Sequence, residues 1–102
     1  MLLAIDVGNT NMEFGIFQKG KLTNSFRLVT NREATSDEIG LMVRQYFSIY
    51  QIDSSRLEDI IVASVVPQVM YSLCNAMRKY IGKTPLVVGE DVEIPIENRY
   101  DH

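Results

Sequence analysis

One cysteine, one histidine and three prolines are all that this 102-residue sequence holds of those types, and each scarcity removes a class of protein. The lone Cys74 excludes an internal disulfide framework and suits a reducing compartment. The ten basic residues are dispersed and outnumbered by thirteen acidic ones, so the net charge of −3 leaves no electrostatic footprint for nucleic acid or an anionic membrane. Met1-Leu2-Leu3-Ala4-Ile5 runs straight into Asp6 with no basic leader and no cleavage site, so no signal peptide or membrane span is expected and the location expected is the cytoplasm. Low-complexity tracts and internal repeats are missing too. What remains, 46% apolar and 23% charged, is the composition of an ordinary globular domain. A chain of this length buries roughly 65% of its unfolded surface, enough for one core but not for a core plus a closed two-lobed cleft. A function needing two lobes would draw on residues outside this sequence.

The richest stretch is Ile5-Asp6-Val7-Gly8-Asn9-Thr10-Asn11-Met12-Glu13, directly after the apolar run Leu2-Leu3-Ala4-Ile5. A buried strand delivers an acid, then a glycine and three small hydrogen-bonding side chains, before a second, alternating strand over 13–18. Gly8 allows close backbone approach to an anion or a positive φ, while Asn9, Thr10 and Asn11 add amide and hydroxyl donors to the main-chain N–H groups. Asp6 is placed to hold a divalent cation or its water shell. The plainer alternative is a hairpin whose Asp, Gly and Asn residues only make the turn.

A third strand over 21–28, joined by a Lys19-Gly20 turn, completes an antiparallel meander. A helix is predicted from about Ser36 to Tyr50, capped by Thr35 or Ser36, with Ile39, Val43, Tyr46, Phe47 and Tyr50 at helical spacing; Gly40 inside it costs about 1 kcal/mol of propensity. A buried strand follows at 59–65, then a helix opened by Pro67, running to about Ile81 and stopped by a left-handed Gly82, then a fifth strand over 85–89. The order β-β-β-α-β-α-β predicts an α/β fold, a mixed sheet with helices on both faces. Cys74 shares a helical face with Met70, Leu73 and Met77 and reads as a buried structural thiol. Ser64 has no histidine nearby to make it a nucleophile, and Glu90, Asp91 and Glu93 read as solvated surface acids. His102 is assigned nothing.

The residues Leu3 to Asn11 with Gly15 following, Arg27 and Thr30 around the end of the third strand, Thr35-Ser36-Asp37-Glu38, Ala63-Ser64-Val65-Val66-Pro67 and Tyr100 carry a family likeness. Through them the chain resembles the actin, sugar kinase and Hsp70 ATPase superfamily, and within it the amino-terminal portion of type III pantothenate kinases. The resemblance implies a ribonuclease-H-like half over 1–89 and a tail over 90–102 leading to a second half. It implies that Asp6, Val7, Gly8, Asn9, Thr10, Asn11, Met12 and Glu13 form an ATP phosphate loop, with Asp6 holding Mg²⁺ through a bound water, and that Tyr100 contacts pantothenate. The implied reaction is ATP-dependent phosphorylation of pantothenate to 4′-phosphopantothenate, the first step toward coenzyme A. The family's base, its second phosphate loop and the ligand for its monovalent cation, K⁺ or NH₄⁺, all lie beyond His102, so no catalytic residue falls in this chain and the chain alone is expected to be inactive. A homodimer is implied for the complete protein. His102 stands where the family has an Asn before proline. The alternatives are a non-catalytic nucleotide-binding regulator or partner-binding module, and a different enzyme of the superfamily, such as a sugar or acetate kinase or a hydrolase.

Overall fold

Alternation along the first strand organises the molecule, whose computed structural model describes residues 1–88. In β1 (Leu2–Val7), Leu3, Ile5 and Val7 point into the core, while Ala4 and Asp6 face the other side. Antiparallel to it runs β2 (Asn11–Gln18), whose Met12, Phe14 and Ile16 join the same core. The turn to β3 (Lys21–Val29) has positive φ at both Lys19 (52°) and Gly20 (77°), the backbone of a two-residue type I′ hairpin. Thr23 is the extra residue at a bulge opposite Ile16 and Phe17, where its hydroxyl donates to the Ile16 carbonyl at 3.2 Å.

Helix α1 (Ser36–Ile49) starts on a capping box: the Thr35 hydroxyl accepts from the Glu38 N–H at 3.1 Å and the Glu38 carboxylate accepts from the Thr35 N–H at 2.8 Å. A single 3-10 turn, Ser54–Arg56, leads into β4 (Asp59–Ser64), which pairs parallel to β1. Helix α2 (Pro67–Ala76) has Pro67 in its first turn and continues as a π-helical turn, Met77–Ile81, ended by Gly82 at φ 88°. Strand β5 (Leu86–Val87) lies parallel to β4, giving the sheet order β3-β2-β1-β4-β5. The expected element order holds. Strand β2 begins two residues earlier than predicted, and β5 is shorter than the predicted 85–89. Gly89, with Glu90, Asp91, Glu93, Tyr100 and His102, lies outside the described residues.

The placement of the helices differs from expectation. Both lie on one face of the sheet, side by side, not on opposite faces. The crossovers β3-α1-β4 and β4-α2-β5 step the same way across the sheet, and two right-handed crossovers in one direction deliver their helices to one side. The helices touch directly: the Asn75 amide donates to the Ser36 hydroxyl at 3.1 Å, and Lys79 and Tyr80 donate to one Asp37 oxygen at 2.8 and 2.6 Å. One continuous core holds Val43 and Phe47 of α1, Val69 and Leu73 of α2, and Leu3, Ile5, Phe14 and Val62 of the sheet. Among the described residues no helix covers the opposite face, where Ala4, Asp6, Glu13, Gly15 and Phe17 line a depression of about 250 Å³. An aromatic column ties α1 to the meander: Phe14 stacks on Phe26 at 4.7 Å, Phe26 on Tyr46 at 4.4 Å, and Tyr46 on Tyr50 at 6.2 Å.

Gly40 finds its reason in this helix pair. It is buried, and a Cβ placed on it would stand well inside van der Waals contact of the Tyr80 ring. Alanine for glycine in a helix ordinarily gains about 1 kcal/mol, but forcing a rigid ring out of a packed seat costs about 1–3 kcal/mol. Gly40→Ala is therefore expected to destabilise the protein by up to about 2 kcal/mol in urea unfolding, the overpacking term exceeding the propensity term. The same change made on a Tyr80→Ala background should stabilise, and equal effects on both backgrounds would show that the ring is not what excludes the methyl group.

Hydrogen bonds from Lys79, then from Tyr80, hold the Asp37 carboxyl below its ordinary 3.8, and Asp37 pushes Lys79 and Tyr80 up in return. A lowered acid contributes stability above its unfolded pKa and loses it as pH falls through the folded value; the raised Lys79 and Tyr80 contribute below 10.5 and 10.0 and lose it as pH rises further. The cluster is solvent-exposed, so the effect is small. Asp37→Asn should lower the melting temperature slightly between about pH 5 and 9, with the difference closing toward about pH 2–3. A difference that stays constant across that range would assign Asp37 to packing, not charge.

Candidate functional site

The carboxyl ends of β1, β3 and β4 emerge along one edge of the sheet. Val29 ends β3 opposite Asn11, and Val7 ends β1 beside Ser64, with the Val65 N–H donating to the Val7 carbonyl at 3.1 Å. The loop after β1, the segment 30–35 and the turn at 65–66 therefore crowd together, at the edge where open α/β sheets bind their ligands.

Because Asn11 already belongs to β2, the loop proper is Gly8, Asn9 and Thr10. Two of its three carbonyls, those of Gly8 and Thr10, are tied down. Gly8 donates its N–H to the Asn11 carbonyl at 2.9 Å, the Thr30 N–H donates to the Thr10 carbonyl at 2.8 Å, and the Thr30 hydroxyl donates to the Gly8 carbonyl at 2.7 Å. The N–H groups of Asn9 and Thr10 meet no acceptor among the described residues. A loop with two unengaged donors and most of its acceptors occupied suits an anion. Arg32 adds a cation beside it, donating from Nη2 to Asn9 Oδ1 at 3.1 Å, which leaves the Asn9 NH₂ as the end of that carboxamide free to face a ligand.

The predicted residues divide by strand face. Asp6 and Glu13 sit opposite each other on neighbouring strands, both exposed, with Arg27 next in the row beyond Glu13. Asp6, Glu13 and Arg27 thus form one row of charged side chains across β1, β2 and β3. No group of three or more His, Cys, Asp or Glu side chains able to hold a metal occurs among the described residues. A divalent ion here would need water and phosphate oxygens for most of its ligands, the habit of magnesium. Asn9 and Thr10 are exposed in the loop and Asn11 half-buried at its exit, but Val7 and Met12 are buried on the opposite side and contribute no side chain.

Other expectations need correction. Gly8 does not adopt a positive φ; a Cβ there would press on the Asn11 carbonyl oxygen at 3.3 Å, so close approach is the reason for glycine. Cys74 is half-buried, since α2 turns Val69, Leu73 and Ala76 most directly to the core. Ser64 spends its hydroxyl on its own turn, accepting from the Val66 N–H at 2.9 Å. Thr30 and Arg32 were not singled out for this loop. Thr30 lies 22 residues beyond Gly8, and only the β2–β3 register brings the two together. Tyr100 lies outside the described residues. No helix among the described residues is long and apolar enough to cross a membrane.

A candidate N-acetylglucosamine kinase of Porphyromonas gingivalis superposes with a TM-score of 0.61 at 17% identity, over 85% of this chain and 32% of that one. A candidate sugar kinase of Cytophaga hutchinsonii gives 0.57 at 17% identity, over 85% and 35%. At such identity the likeness is one of fold, the ribonuclease-H-like half of actin-like sugar kinases. The sequence profile of type III pantothenate kinases matches residues 2–102. A type III pantothenate kinase of Bifidobacterium longum subsp. infantis is 40% identical over 101 residues, which are 99% of this chain and 40% of that protein. The chain belongs to the type III pantothenate kinase family. It spans 40% of the length of that curated relative.

Proposed function

We propose that the complete protein transfers the γ-phosphoryl group of ATP to the primary hydroxyl of pantothenate, giving 4′-phosphopantothenate, and that this chain supplies the loop that holds the phosphates. The loop 8–10, with the Gly8 and Thr10 carbonyls engaged and the N–H groups of Asn9 and Thr10 meeting no acceptor among the described residues, is the observation that carries this reading within the family. Phosphoryl transfer demands positioning and charge neutralisation more than covalent chemistry. The Asn9 and Thr10 N–H groups, the Thr10 hydroxyl and the Asn9 carboxamide would bind phosphate oxygens. Asp6, an exposed hard-oxygen donor beside the loop, would hold a water of the Mg²⁺ that accompanies ATP, with Glu13 adding to the field. That ion supplies charge neutralisation on the phosphates. The pantothenate hydroxyl would give its proton to a base from the part of the relatives that this chain does not span, and its oxygen would bond to the γ-phosphorus as ADP departs. Tyr100 would contact pantothenate. A monovalent cation and a homodimer belong to the same proposal for the complete protein, as does a cytoplasmic location.

In the complete protein, Asp6→Asn is expected to lower kcat by at least about 10², because a charge-assisted contact at the reacting phosphates is worth a few kcal/mol in a dry site. Near-native turnover at saturating magnesium would make Asp6 a turn residue. Tyr100→Ala should raise the KM for pantothenate more than that for ATP; equal changes would mark Tyr100 as packing. The 102 residues by themselves are expected to phosphorylate no pantothenate in a coupled ADP-release assay, and turnover at the rate of the complete protein would place the base within this chain.

A further inference from the structure

We propose that Thr30 is a positioning residue that sets the direction of the Asn9 N–H in the phosphate loop, an inference that rests on the phosphate-loop reading above. Thr30 is buried, 8% exposed, and it makes two hydrogen bonds to the loop from the far end of β3. The bond from its hydroxyl matters most. The Gly8 carbonyl and the Asn9 N–H belong to one planar trans peptide, in which they point in opposite directions. Drawing the Gly8 oxygen inward at 2.7 Å therefore turns the Asn9 N–H outward. Without that bond the Gly8–Asn9 peptide, with a glycine on one side, is free to rotate, and its carbonyl dipole would then face the phosphates. The Thr30 N–H, holding the Thr10 oxygen at 2.8 Å, pins the next peptide but one, Thr10–Asn11, at the loop's exit. Thr30 touches no substrate. It acts through the orientation of a peptide that does.

Two substitutions separate this role from simple packing. Thr30→Val keeps the β-branched shape and the backbone bond to Thr10 but removes the hydroxyl. Thr30→Ser keeps the hydroxyl and loses only the methyl group. Both would be made in the complete protein beside Asp6→Asn, with ATP and pantothenate varied in turn and thermal melts recorded. Thr30→Val should lower kcat/KM for ATP by about 10- to 100-fold, less than the roughly 10²- to 10³-fold that removal of an oriented oxyanion donor costs because the N–H is loosened and not removed, while the KM for pantothenate stays within about twofold; Thr30→Ser should restore most of the loss. Near-native kinetics for Thr30→Val alongside a crippled Asp6→Asn would overturn the positioning role and leave the loop reading standing. Near-native kinetics for both would remove the loop reading, and the positioning role with it. A loss that tracks the folded fraction, with Thr30→Ser no better than Thr30→Val, would make Thr30 a core filler. Should Thr30→Val not fold, Thr30→Ser decides alone: a KM for ATP within about threefold of native agrees with a hydroxyl-borne role, and a larger rise overturns it.

Discussion

Strand β1 is hydrogen-bonded along both edges, antiparallel to β2 on one side and parallel to β4 on the other, and this double pairing governs the rest of the structure. A strand so held can send its side chains only up or down. Leu3, Ile5 and Val7 go toward the helices, which forces Asp6 onto the side the helices leave open. A slip of one residue would drive the Asp6 carboxylate into the core and bring Ile5 and Val7 to water. Burying a carboxylate costs several kcal/mol, so Asp6 itself helps to fix the register. The loop then has one place to be, at the carboxyl end of the strand, between the ends of β3 and β4.

Local chemistry made much of this visible in the sequence. Thr35 and Glu38 as a helix start, Pro67 in a first turn, Gly82 in the left-handed region and Lys19-Gly20 as a tight hairpin all act within a few residues of where they stand, and each appears where expected. The acid after the apolar strand was readable for the same reason. Features that depend on distant partners were not. Both helices share one face because of the strand order, which no single segment encodes. Gly40 looked like a defect of propensity because the ring that excludes a side chain there belongs to Tyr80, forty positions on. The π turn at Met77–Ile81, which carries that ring, left no signal in a pattern that continues smoothly at helical spacing. Thr30 was known only as part of a family resemblance until the β2–β3 register set it against Gly8.

Segment 30–35 is braced at both ends. Thr30 grips the loop, Thr35 closes the capping box, and one turn further Ser36 and Asp37 are bonded to Asn75, Lys79 and Tyr80 of the neighbouring helix region. The loop 8–10 thus leans on a short chain of contacts that ends in the helix pair, not on a free strand end. Preorganised donors of this kind need no rearrangement when charge arrives, which is the condition under which fixed dipoles are most effective.

The aromatic column has a consequence outside binding. The sequence contains no tryptophan, so ultraviolet signals from aromatic side chains come from its five tyrosines and four phenylalanines alone. Tyr46 lies stacked on Phe26 of β3 at 4.4 Å, with the Tyr50 ring at the end of α1 beside both, 6.2 Å from Tyr46 and 6.5 Å from Phe26. A tyrosine held in a fixed asymmetric stack gives near-ultraviolet circular dichroism that vanishes when side-chain packing loosens, even while helix and strand persist. The protein therefore carries its own optical gauge of how firmly α1 is seated on the meander, readable without any label.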